Sequence, residues 1–201
     1  MGTYAAVVLA GGAARRMGGV DKPALPVGGR PMRDRVLAAV ADATPRVLVG
    51  AVDAVPAGVR VVQEDPPGGG PVAAAAAGLA LLAPDTTVVA LLAADLPLLT
   101  RAAIGDLLNH LGQGEPQPDG ACFVDGDGRR QSLCGVWRVA ALRAALHRLT
   151  VERGGTLSGA PVRALLAGLV VREVAWSGEG PPPWFDCDTD EDVRRAEEWA
   201  R

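Results

Sequence analysis

Residues 7–32 read VVLAGGAARRMGGVDKPALPVGGRPM, and this stretch decides the fold. Four apolar residues run into a loop that holds Gly11, Gly12, Gly18 and Gly19, with Arg15, Arg16 and Lys22 set among them. The apolar run YAAVVLA, residues 4–10, suits a strand buried on both faces of a parallel sheet. The glycine loop then lies at the strand's carboxyl end, where open α/β sheets bind their ligands. Glycines let the backbone approach a ligand closely, and inward-turned N–H groups form a concave anion site. Three cations in the same loop point to a polyphosphate rather than a neutral ligand. The common phosphate motifs do not fit: no Gly-Lys-Ser/Thr follows Gly18 and Gly19, and G-x-G-x-x-G fails on its first spacing.

Outward from this loop, strands and helices alternate. A helix is expected from Pro31 through Val40, then strands over RVLVGA (residues 46–51) and VRVVQ (residues 59–63). The turn PPGGGP leads into an alanine-rich helix over residues 72–82, and TTVVALLAA is a central strand that ends at Asp95. A helix over residues 100–111, with Thr100 as N-cap, is followed by a polar loop. GACFVD and RQSLCGVW read as strands joined by the turn at residues 125–128. Helices over 139–149 and 160–168, a strand in LVVREVAW and a closing helix over 189–200 complete the pattern. The alternation predicts one domain over residues 1–201 with a three-layer α/β/α fold and a mostly parallel, Rossmann-like sheet.

Composition narrows the function. The 201 residues are 49% hydrophobic and 21% charged, with no apolar run near the roughly 20 residues that span a bilayer. The start lacks a basic n-region and cleavage site, so a cytoplasmic location is expected. Cys122, Cys134 and Cys187 are widely spaced without a C-x-x-C and are read as packing residues. A net charge of −3 excludes a general nucleic-acid binder, which needs a basic face. His110 and His147 sit late in expected helices and suit dipole contacts there. The four tryptophans are assigned to packing, with Trp184 close enough in sequence to the terminal aspartates to touch an acceptor. Arg129, Arg130 and Arg153 are candidates for an acceptor phosphate.

LAGGAARRMGGVDKPAL resembles the L-A-G-G-x-x-x-R-M-G-x-D-K signature of small nucleotidyltransferases of the MobA-like NTP transferase family, and RRMGGVDK looks most like its molybdenum cofactor guanylyltransferase branch. The resemblance extends to VVQEDPPGGGPVAAAAAGL, to AADLP and to FDCDTDEDV, in the family's order. It implies Mg²⁺-dependent transfer of GMP from GTP to the phosphate of molybdopterin, with pyrophosphate released. It also implies transient contact with molybdoenzymes or cofactor-biosynthesis proteins, and no nucleic-acid or membrane partner.

Carried over by position, the resemblance implies that Leu9, Ala10, Gly11 and Gly12 line the nucleotide pocket through their backbone. Arg16 and Lys22 would bind the triphosphate, and Asp65 would contact the nucleotide. Asp95 would hold Mg²⁺, with Asp188 as second metal-side residue and Asp186 behind it. The chemistry agrees with these roles, because an in-line displacement at phosphorus needs positioning and charge neutralisation by cations and a metal. Read without the resemblance, Asp95 also suits the start of a helix, and Asp186 and Asp188 also suit capping of the last one. Two departures stand out: Gly50 occupies the base-contacting position where the family commonly has Asn, and the terminal motif carries aspartates in place of asparagines. Gly50 keeps CTP, or another small phosphorylated acceptor, open as an alternative. A non-catalytic nucleotide-binding module is the alternative of another class, against which the joint presence of Lys22, Asp95 and Asp188 argues.

Overall fold

The computed structural model describes residues 3–11, 22–52 and 54–200. Strand β1 (Ala5–Leu9) is buried at all five positions, as its uninterrupted apolar run requires. It pairs in parallel with β4 (Arg46–Val49) on one side and β6 (Val88–Ala93) on the other. β5 (Val59–Val62) adds to β4 in parallel. Beyond β6 come β8 (Arg130–Arg138), β7 (Gly120–Val124) and β9 (Val171–Ala175), giving the order β5-β4-β1-β6-β8-β7-β9. Only β8 runs antiparallel within this sheet. In the tight turn that reverses the chain between β7 and β8, the Asp125 carboxylate accepts from Asp127 N at 3.0 Å and Arg129 N at 2.9 Å. Two residues each of β2 (Pro26–Val27) and β3 (Arg30–Pro31) form a separate small hairpin.

The period-2 alternation of β1 splits the core into two layers. Ala6 and Val8 face Val36 and Leu37 of α1 (Met32–Ala39) and Ile104 and Leu107 of α3 (Arg101–Leu111). Ala5, Val7 and Leu9 face Val72 and Leu79 of α2 (Pro71–Ala80) and Leu142 of α4 (Val139–Glu152). In α2, a side chain at Gly78 would run into Val7, so its absence lets the helix lie close on the central strand. The expected three layers and mostly parallel sheet are therefore present. The helix expected over 160–168 is a single turn, α5 (Val162–Leu165), because Pro161 opens it and the chain folds back at Leu169 N onto Leu166 O. The last helix, α6 (Asp190–Trp199), has Thr189 as its N-cap. No helix among the described residues is long and apolar enough to cross a membrane.

Candidate active site

Three segments far apart in sequence meet at the carboxyl end of the sheet. Asp95 lies two residues beyond the end of β6. Lys22 opens a 3₁₀ turn, Lys22–Ala24, closed by Leu25 N donating to Lys22 O at 3.0 Å and anchored by the buried Pro23. Asp188 lies just before α6, on a segment tied to the sheet where Cys187 N donates to Asp95 O at 3.2 Å. What assembles them is a small apolar cluster of Val27, Met32, Leu98, Cys187 and Ala196, which takes one or more residues from each segment. Burial pushes the Cys187 thiol up to about 12, which suits its reading as packing.

At the centre, Lys22 Nζ donates to Asp95 Oδ2 at 2.8 Å and to Asp188 Oδ1 at 2.7 Å. Burial alone would lower the lysine's pKa, but the hydrogen bonds to Asp188 and Asp95 outweigh it and the net shift is upward. Asp186, on the same strand-like segment, is raised by partial burial first and then by the neighbouring Asp188 charge. Neither Asp95 nor Asp188 caps a helix. Thr100 Oγ1 caps α3 by accepting from Ala103 N at 3.2 Å. At α6 the Asp192 carboxylate accepts from Thr189 N at 2.8 Å and from Asp188 N at 3.1 Å, which completes a capping box. Both helix starts are satisfied by other side chains, so the two carboxylates are left for a cation.

The residues expected to line the nucleotide pocket lie on or just after β1, β4 and β5. Ala10 N and Gly11 N both donate to Val49 O, at 2.8 and 3.1 Å, and Ala94 N donates to Leu9 O at 3.0 Å. Any ligand contact along Leu9–Gly11 therefore falls to atoms other than these, because the two N–H groups are turned into the sheet. Gly12, Arg15 and Arg16 lie outside the described residues. Gly50 has φ +145°, and a Cβ there would stand 3.0 Å from Gly11 N and 3.1 Å from Ala10 C. Its glycine is thus explained by the close crossing of the β1 loop, independent of any base contact. Asp65 is exposed, directly before Pro66.

Its neighbour Glu64 was not singled out from sequence and is the buried acid of this region, at 4% exposure. Oε1 accepts from Gly68 N at 3.0 Å; Oε2 is buried with no hydrogen-bond partner. Both oxygens would lie within 3.3 Å of a Cβ built on Gly11. Glu64 therefore sits between the two glycine segments that flank the site.

Other candidates lie elsewhere. Arg130 pairs with Glu173 at 2.7 Å, and Arg153 donates to the carbonyls of Thr156 and Ser158. Trp184 and Trp176 pack on Phe123, with ring centroids 5.2 and 5.5 Å away, and Trp137 is fully buried. His110 Nδ1 lies 2.9 Å from Asp106 O in the last turn of α3, as its position suggested.

The MobA-like NTP transferase domain matches residues 6–171. The chain belongs to the MobA-like NTP transferase family. Over 206 aligned positions it is 32% identical to the molybdenum cofactor guanylyltransferase of Nitrobacter hamburgensis, covering 96% of this chain and 93% of that one. Its fold matches the 2-C-methyl-D-erythritol 4-phosphate cytidylyltransferase of Thermus thermophilus, with TM-score 0.71, 20% identity and 99% of each chain covered. It also matches the molybdopterin-guanine dinucleotide biosynthesis protein A of Archaeoglobus fulgidus, with TM-score 0.69, 19% identity and 96% of each covered. As a MobA-like family member the protein is a nucleotidyltransferase, an enzyme of the class its opening loop pointed to.

Proposed function

We propose that the protein transfers GMP from GTP to the terminal phosphate of molybdopterin and releases pyrophosphate. The observation that carries this reading is the convergence of Lys22, Asp95 and Asp188 on one point, in a chain 32% identical to a molybdenum cofactor guanylyltransferase. An acceptor phosphate oxygen bonds to the α-phosphorus of GTP while the bond from that phosphorus to the α–β bridging oxygen breaks. The acceptor is already an anion, so no side-chain base is needed. The enzyme's task is to hold two anionic groups in line and offset their charge.

Asp95 and Asp188 fit Mg²⁺: both are hard carboxylate donors, they converge on a single cation, and Mg²⁺ takes one or two carboxylates together with substrate phosphates. When bound, the metal supplies Lewis-acid neutralisation of the phosphate oxygens. Lys22, and Arg16 from the same loop, hold the triphosphate. Asp65, exposed directly before Pro66, accepts from the guanine edge, Leu9, Ala10, Gly11 and Gly50 form the close-packed wall, and Gly12 is assigned to the nucleotide by its place in the sequence motif. Likeness of fold to a cytidylyltransferase supports CMP transfer from CTP as a second reading. Pyrophosphate release across GTP, CTP, ATP and UTP, with and without molybdopterin, tests both. Release with GTP that depends on molybdopterin is expected; turnover without molybdopterin, or none with any nucleotide, overturns the reading.

A further inference from the structure

Lys22 stands where a metal would stand. Its ammonium lies within 2.8 Å of a carboxylate oxygen from each of Asp95 and Asp188. Its side chain is only 12% exposed, and the turn that carries it is pinned at the buried Pro23, so this is no wandering surface lysine. Asp188, by contrast, is 74% exposed on its side chain, which leaves one flank of the pair open to an incoming ion. The same two carboxylates cannot give their inner oxygens to the ammonium and to a divalent cation at once.

We infer that Lys22 is a tethered cation that holds the metal-binding carboxylates of the free enzyme and releases them only to a triphosphate, so that metal binding depends on nucleotide. The inference rests on the reading of Asp95 and Asp188 as metal-side residues. A triphosphate offers the ammonium denser negative charge than two carboxylates, and charge-assisted contacts to phosphate are strong. Once Lys22 turns to it, the vacated oxygens are free for the metal that accompanies the nucleotide. Linkage then requires that nucleotide raise metal affinity and metal raise nucleotide affinity by the same factor. A lysine that served only as a phosphate ligand would leave metal binding to the free protein unchanged.

The test is a Mn²⁺ titration of the nucleotide-free protein, followed by electron paramagnetic resonance of the unbound ion. Lys22→Met and Lys22→Gln should bind Mn²⁺ on the order of tenfold more tightly than the wild type, within the usual range of coupling between sites. Lys22→Arg, which keeps the charge, should bind no more tightly than the wild type. Adding Asp95→Asn to the methionine variant should remove the gain. With a non-hydrolysable α,β-methylene GTP analogue present, the wild type should gain affinity by a similar factor, and the uncharged variants by much less. Equal or weaker Mn²⁺ binding by the uncharged variants overturns the inference; should Lys22→Met fail to fold, Lys22→Gln gives the same reading. If no form binds Mn²⁺ with or without nucleotide, the inference falls together with the metal assignment. The nucleotide-free titration is blind to base preference, so a wild type that favours CTP would leave it standing.

Discussion

Gly50→Ala separates a backbone role from a base-reading one. The residue has φ +145°, a conformation that strains any side chain, and its new Cβ would lie 3.0 Å from Gly11 N and 3.1 Å from Ala10 C. Both are backbone atoms, and Gly11 N is held in place by Val49 O, so neither can step aside without breaking a hydrogen bond. The unfavourable φ costs about 1–3 kcal/mol, and overpacking against a fixed neighbour adds a further 1–3 kcal/mol or so. For a domain of this size each kcal/mol lowers Tm by roughly 2–4 °C, so a fall of roughly 4–24 °C is expected by thermal melting. Displacing the Ala10–Gly11 segment should also weaken binding of every nucleoside triphosphate alike, measured by calorimetry. If Tm stays within about a degree of the wild type, the packing argument is refuted. If binding of one base alone weakens, Gly50 reads the base after all.

Three further outcomes follow from the same geometry. Asp95→Asn should cut turnover on the order of 100-fold or more while Tm stays near the wild-type value, because it removes one preorganised charge at the reacting phosphates; near-normal turnover at saturating Mg²⁺ would take Asp95 out of the metal site. Asp65→Ala should reduce the preference for GTP over CTP and ATP more than it reduces the maximal rate, as its proposed contact with the guanine edge requires; an unchanged preference ratio contradicts this. Asp192 is held below its ordinary pKa of 3.8 chiefly by the Thr189 hydroxyl, so its contribution is complete above that value and is lost as pH falls through the lower folded value. Thr189→Ala should therefore cost about 1 kcal/mol near neutral pH and flatten the acid loss of stability, read from urea melts at pH 7 and pH 3; parallel melts at the two pH values would refute it.

The sequence carried the frame of this enzyme through local signals. The buried run before Gly11 marked the central strand, and Thr100 and Thr189 marked helix starts because capping is decided within four residues. The cationic glycine loop named the ligand class for a similar reason, since charge and backbone freedom lie side by side in one segment. What stayed hidden depends on contacts between distant residues. Lys22 and Asp188 are 166 positions apart, and the cluster around Met32 and Cys187 helps bring them together. The antiparallel course of β8 follows from where its hairpin inserts, which the DGDG turn alone does not specify. Glu64 was overshadowed by its neighbour Asp65, because burial is not visible in a pair of adjacent acids. Gly50 looked like a missing base contact, whereas its φ and its clearance from Gly11 give it a reason of its own.

The central claim is guanylyl transfer to molybdopterin, and a competition with product identification tests it most directly. The protein is supplied with molybdopterin, Mg²⁺ and equal concentrations of GTP and CTP, and the pterin products are separated and weighed by mass spectrometry. Molybdopterin guanine dinucleotide is expected as the dominant product, formed one for one with pyrophosphate and lost in Asp95→Asn. A cytosine dinucleotide as the dominant product, or nucleotide consumed while molybdopterin stays unmodified, would contradict it.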